Sequence, residues 1–212
     1  MDDVYFQVRY SSHPGRTKVW KAICEYLISD IEPQDTVLEL GAGYCDFINQ
    51  IPAETKYAMD ANPDVQRHCA EDVQFVLSKD NHFDVPAQSV DVVFASNFFE
   101  HLNDADRDSV FDQLSQCLKP KCTLILMQPN YHYAHKKYWD DYTHVKAYSH
   151  VSLPDMVAAK GYTIRRVEKR FLPFSFKSVL PASYWLTKAY LASFWRPYAG
   201  QMLVVAEKTL NV

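Results

Sequence analysis

The apolar residues of this chain fall into short runs closed by acids, glycines and prolines, a pattern of strands linked by shorter helical stretches. Val37, Leu38 and Leu40 form a run suited to a strand covered on both faces, and it breaks at Gly41-Ala42-Gly43. Similar runs end at Asp60 in KYAMDANP and just before Asp80 in VQFVLSKDN. They recur at Val90–Ala95 and, behind Lys119-Pro120-Lys121, at Thr123–Met127. Tyr162–Val167 and Met202–Ala206 close the series. Val19, Ile23, Tyr26 and Leu27 stand at helical spacing and predict a helix over 18–28, laid before the first strand as a lid. Ser152-Leu153-Pro154-Asp155 opens another helix that Gly161 ends. Strands alternating with helical stretches imply an α/β fold with a doubly wound, seven-stranded, mostly parallel sheet and an insert after the fifth strand.

Composition narrows this to one domain. The 212 residues are 48% hydrophobic, enough for a sizeable core, and no Pro/Gly/Ser-rich linker divides them. The net charge is −4 and the tight basic pairs (Lys119/Lys121, Lys136/Lys137, Arg165/Arg166) are scattered, so no electrostatic track for nucleic acid is expected. Five cysteines form no CxxC pair and follow no signal peptide, which suits a reducing cytoplasm. Val179–Trp195 carries Lys188 as its single charge and is rich in aromatics. It is shorter and more polar than a membrane span, and reads as an amphipathic helix packing on the sheet or a partner, with weak membrane association or a homodimer through 179–195 as its possible uses.

The chemistry begins at the glycine turn. Two glycines one residue apart let the backbone turn sharply and approach a ligand. A dinucleotide fingerprint needs Gly or Ala where Asp46 stands, at the start of the helix expected next, and a carboxylate there repels a pyrophosphate. A sulfonium cofactor with an amino-acid tail carries a cation and suits it better. Asp60, closing the second strand, can accept from both ribose hydroxyls, and Asp80 or Asn81 can hold an adenine amino group.

ELGAG, the acids Asp60 and Asp80, SVDVVFASNFFEHL and LKPKCTLILMQPN follow one another over residues 36–130 in the order and spacing of the class I S-adenosylmethionine-dependent methyltransferases, which this stretch resembles. Cys45 departs from the family's usual glycine. The segments QPNYHYAHKKYWDDYTH, RFLPFSFKS and YLASFWRPYAGQMLVVAEK are similar to a narrower group of small bacterial methyltransferases that accompany exopolysaccharide and O-antigen biosynthesis. The resemblance implies a Rossmann-like fold with an N-terminal lid at 1–32, a cofactor-binding core at 36–130, and a substrate-side insert with closing strands at 131–212. It implies S-adenosyl-L-methionine as cofactor, with Glu39, Gly41, Ala42 and Gly43 framing its methionine part. Asp60 and Ala61 would take the ribose, Asp80 and Asn81 the adenine, and Ser96 and Asn97 the floor beneath the sulfonium.

On the substrate side, the insert Pro129–Ser149 is dense in aromatics and acids, the combination that stacks on pyranose C–H faces and takes hydroxyl protons; a plain cover over the core would use the same aromatics. Asn130, Tyr131, Tyr138, Trp139 and Asp141 are its expected substrate contacts. A hydroxyl acceptor needs its proton removed as the new bond forms, and a histidine suits that task. His144 is the preferred base and His101 the second candidate, although His101, like Glu100, could instead make a local bond at a helix start. No metal site is expected, since the spacing offers no close ligand set; folding could still bring together His132/His135 or His144/His150. The expected activity is O-methylation of a sugar or glycan hydroxyl. The alternatives are N- or O-methylation of another small-molecule natural product, and a non-catalytic binding protein on a degenerate cofactor turn.

Overall fold

Alternation along each strand sorts the sheet into two apolar faces, and helices cover both. The computed structural model describes residues 15–80, 82–173 and 182–209. Its strands are β1 (Thr36–Leu40), β2 (Thr55–Asp60), β3 (Val73–Leu77), β4 (Val90–Ser96), β5 (Leu118–Pro129), β6 (Tyr162–Glu168) and β7 (Gln201–Lys208). They form one seven-stranded sheet in the order β3-β2-β1-β4-β5-β7-β6. The first five strands pair parallel, whereas β7 runs antiparallel to both its neighbours, β5 and β6. This is the doubly wound, mostly parallel sheet that the sequence pattern predicts.

Leu38, Leu40, Val93, Ala95, Leu124, Leu126, Met202 and Val204 share one core with residues of α2 (Asp104–Cys117) and α4 (Ser152–Ala159). Their odd-even partners Val37, Val92, Phe94, Ile125, Met127, Leu203 and Val205 pack on the other side with Val19, Trp20, Ile23 and Leu27 of α1 (Arg16–Leu27). Trp20 meets Phe94 edge-on at 6.1 Å, and Phe47 stacks on the same ring at 3.7 Å. The period-2 pattern of each strand thus feeds two cores.

The helix over 18–28 forms as α1, its buried face packed on the sheet, and Arg16 at its start reaches the glycine turn by pairing with Asp46. Three local expectations change. No regular helix follows that turn: Gly43 (φ 54°) and Cys45 (φ 55°) are both left-handed, which interrupts helical progression, so Asp46 lies in a series of turns. Lys119-Pro120-Lys121 does not precede the fifth strand but bulges within it, with Lys121 at φ 63° and the β4 register jumping from Val90↔Leu118 to Val92↔Thr123. Glu100 and His101 do not start a helix; they lie in a 3₁₀ turn, Phe99–His101, and α2 starts later behind the Asn103 cap, whose side chain accepts from the Asp106 N–H at 2.9 Å.

Gly161, at φ 87°, ends α4 as the sequence predicts. The amphipathic segment forms α5 (Tyr184–Ala192), which docks on α1: the Tyr184 hydroxyl donates to Glu25 at 2.6 Å, and Lys188 pairs with Glu25 at 2.8 Å.

Candidate active site

The carboxyl ends of β1, β2 and β4 lie side by side, and the glycine turn leaves the first of them. Gly41 has φ 65°, and a Cβ there would stand 2.7 Å from the Phe98 ring, so the position needs glycine for both conformation and space. The Ala42 N–H donates to the Met59 carbonyl at 3.0 Å, tying the turn to β2. Asp60 then accepts from the Gly43 N–H at 3.0 Å through one carboxylate oxygen and from the Asn62 N–H at 2.9 Å through the other. Burial pushes this carboxyl up against the pull of those donors. Glu39 is 4% exposed and accepts from the Ile48 N–H at 3.1 Å, bracing the segment after the turn. Burial pushes its carboxyl well above the ordinary range, with Asp46 and Asp60 adding to the rise. Ala61 is exposed beside Asp60, and Ser96 ends β4 with Asn97 directly after it, where Gln201 donates to the Asn97 side-chain oxygen at 2.9 Å. Asp80 is exposed at φ 51° in the turn closed by Lys79 and His82. Asn81 lies outside the described residues.

A second constellation adjoins this end of the sheet. Glu100 and His101, just past β4, meet His144 from the insert, and one ligand atom of each lies within 4.8 Å of the others. The Val145 and Lys146 N–H groups both donate to the Glu100 carbonyl, at 2.9 and 3.1 Å, and so clamp the insert over the 3₁₀ turn. The imidazole of His144 places Nδ1 2.7 Å from the Tyr138 carbonyl, which can only accept, so Nδ1 carries the proton and Nε2 is the acceptor nitrogen. His101 is fixed in the same sense. Its Nδ1 lies 2.9 Å from Thr143 Oγ1, and that hydroxyl gives its own proton to Asp141 at 2.7 Å. Burial, with His144 alongside, pushes the His101 imidazole down to about 4. Glu100 is 1% exposed, neither of its carboxylate oxygens has a hydrogen-bond partner among the described residues, and burial pushes its carboxyl up to about 8.

A family model described as a methyltransferase domain matches residues 14–167. The chain belongs to this family of S-adenosylmethionine-dependent methyltransferases. Among solved structures it is similar to such a methyltransferase from Archaeoglobus fulgidus, with 18% identity over 97% of this chain and 98% of that one, and a TM-score of 0.66. An Aquifex aeolicus methyltransferase gives 15% identity, 95% and 96% coverage and a TM-score of 0.61. A chain from the complex of the Haloferax volcanii Trm112 methyltransferase activator with a methyltransferase gives 15% identity, 93% and 95% coverage and a TM-score of 0.67. At these identities the likeness shows the class I methyltransferase fold. No curated protein matches the chain.

In this methyltransferase the expected substrate residues divide. Asn130 and Tyr138 are fully buried and bonded within the fold. Asn130 caps α3 (Tyr131–Tyr138) by accepting from the His132 N–H, and its amide donates to the Lys169 carbonyl at 2.9 Å. The Tyr138 hydroxyl donates to the Lys146 carbonyl at 2.5 Å, closing the insert. Tyr131 and Trp139 do offer exposed ring surface, 6.3 Å apart between centroids, and Asp141 anchors Thr143 beside His101. Of the histidine pairings left open by the sequence, His144 joins His101, not His150, and His132 faces His150 instead of His135. Thr143, beside His101, was not singled out in the sequence, and Glu100 was read only as making a local bond at a helix start. The signal for Glu100 was an acid next to a histidine directly behind an apolar strand. Among the described residues no helix is long and apolar enough to cross a membrane.

Proposed function

We propose that this methyltransferase transfers the methyl group to an oxygen nucleophile, a sugar or glycan hydroxyl, deprotonated at the His101–His144 pair. The supporting observation is the fixed tautomer of His144, whose Nδ1 is held by the Tyr138 carbonyl so that Nε2 is the basic nitrogen. An amine acceptor with its own lone pair needs less help from such a group. As the acceptor oxygen attacks the methyl carbon, the C–S bond breaks with its electron pair passing to sulfur, and the hydroxyl proton goes to the imidazole. Burial lowers the basicity of the His101 imidazole, which leaves His144 as the base this reading invokes. The exposed rings of Tyr131, Trp139 and Tyr142 favour a sugar, since its C–H faces stack on aromatic surface.

The test uses methyl-labelled S-adenosylmethionine with nucleotide sugars and oligosaccharides, beside an amine panel. The expected product is a methyl ether, and His144→Ala is expected to lower the rate by about 10²–10⁴-fold. Labelling confined to amines, or full turnover by His144→Ala, would remove the proposal.

A further inference from the structure

We propose that Glu100, His101 and His144 form a binding site for one divalent first-row transition-metal cation, which holds the acceptor hydroxyl. Three features of the geometry support it. Their ligand atoms already lie within 4.8 Å of one another, and a metal bound at about 2.0–2.2 Å would draw them to roughly 3.3 Å, a closure within reach of side-chain torsions. Both imidazoles are fixed through Nδ1, by the Tyr138 carbonyl at 2.7 Å and by Thr143 Oγ1 at 2.9 Å, which sets Nε2 of each as the acceptor nitrogen. Ligating histidines are characteristically held in this way, with the second nitrogen hydrogen-bonded to a carbonyl or an anchored oxygen. Here the Thr143 hydroxyl is itself anchored on Asp141, at 2.7 Å.

The third feature is the acid. Glu100 is 1% exposed, yet both its oxygens lack a hydrogen-bond partner among the described residues, and Oε1 lies 4.0 Å from His101 Nε2. A buried carboxyl without partners is costly to keep and needs a reason. A cation between it and the two imidazoles supplies one.

Two imidazoles and a carboxylate suit Mn²⁺, Fe²⁺, Co²⁺ or Zn²⁺, whereas Mg²⁺ and Ca²⁺ favour all-oxygen ligands. Three protein ligands leave coordination positions open toward the acceptor. A hydroxyl held there loses its proton more readily, to water, so a bound cation would replace the histidines' role as bases in the proposed function while keeping its oxygen acceptor. That role rests on the oxygen-acceptor reading, while the cation site itself does not.

The test strips the purified chain with a chelator and titrates it calorimetrically with MnCl₂ and CoCl₂. The expected result is one ion per chain, with visible d–d bands from bound Co²⁺. Glu100→Gln and His144→Ala should abolish uptake while S-adenosylmethionine binding persists. Thr143→Val, a milder change, should weaken it by about 10–100-fold. If a ligand variant fails to fold, the wild-type stoichiometry and Co²⁺ spectrum decide. No stoichiometric uptake by the wild-type chain, or unchanged uptake by folded Glu100→Gln, overturns the site. Metal-free turnover of a hydroxyl acceptor by a chain that binds no ion would end the inference and leave the oxygen reading standing. Uptake of one ion by a chain that methylates amines alone would do the reverse.

Discussion

Gly41→Ala tests the glycine turn where two costs coincide. The residue holds φ 65°, and an added Cβ would stand 2.7 Å from Phe98 Cδ2. An L-residue in the left-handed region costs about 1–2 kcal/mol, and forcing extra volume into packed surroundings adds about 1–3 kcal/mol. Gly41→Ala should therefore lose about 2–5 kcal/mol in urea unfolding at 25 °C. At the scale for a chain of this size, about 2–4 °C per kcal/mol, the melting temperature should fall by about 10 °C. Phe98→Ala separates the two costs. In that background the ring is gone and only the backbone penalty remains, so the double-mutant cycle should show coupling of about 1–3 kcal/mol. A loss below about 0.5 kcal/mol for Gly41→Ala would refute the conformational argument, and an equal loss in both backgrounds would refute the steric one.

The other predictions concern the acids around the turn. Asp60→Ala leaves the Gly43 and Asn62 N–H groups without their acceptor, and should cost about 1–3 kcal/mol of stability. Calorimetric binding of S-adenosylmethionine and its demethylated product should be lost, and a folded variant with wild-type affinity would place the ribose elsewhere. Glu39→Gln should alter the pH dependence of stability. Because burial raises the folded-state pKa of Glu39 above the unfolded value of 4.5, the folded chain keeps a proton that the unfolded chain has released. Wild-type stability thus falls as pH rises above 4.5 toward the folded value. Unfolding midpoints for Glu39→Gln across a pH series should fall less over this interval, and a parallel profile would show that Glu39 does not carry the dependence.

Much of the sheet was legible in the sequence because each strand carries its own evidence. Val37-Leu38 and Leu124-Ile125 alternate between two covered faces, so both positions of each pair are apolar and the runs stand out. The turn at Gly41 was legible for a similar reason: the conformation glycine supplies there is local to the strand end. The break at Cys45 was harder, since its left-handed φ of 55° is a decision of the turn and not of the side chain. Tyr138 and Asn130 are ambiguous in the sequence because aromatic and amide residues serve ligands and structure equally well. Only their burial and bonding partners separate the two uses. The histidine cluster was the least legible, since it joins residues as far apart as His101 and Thr143, 42 positions along the chain, and the insert is held there by main-chain bonds from Val145 and Lys146 that are independent of side-chain identity.

That clamp makes Glu100 the sharpest place to separate stability from function. Two insert N–H groups hold its carbonyl, so the backbone of the 3₁₀ turn is satisfied whatever side chain it bears. The side chain is not: a carboxyl buried to 1% exposure, without a hydrogen-bond partner among the described residues, forfeits about 1–3 kcal/mol of desolvation. An apolar side chain of similar length avoids that loss, because the surrounding packing already excludes water. Glu100→Met should therefore raise the unfolding free energy of the metal-free chain by about 1–3 kcal/mol, while methyl transfer falls to background. If Glu100 only helped to pack the insert, its replacement would stabilise the chain and leave turnover intact. If it were structurally required, the variant would lose both. Stability gained together with activity lost is the outcome that assigns the acid to the reaction, since a costly buried group persists where function requires it.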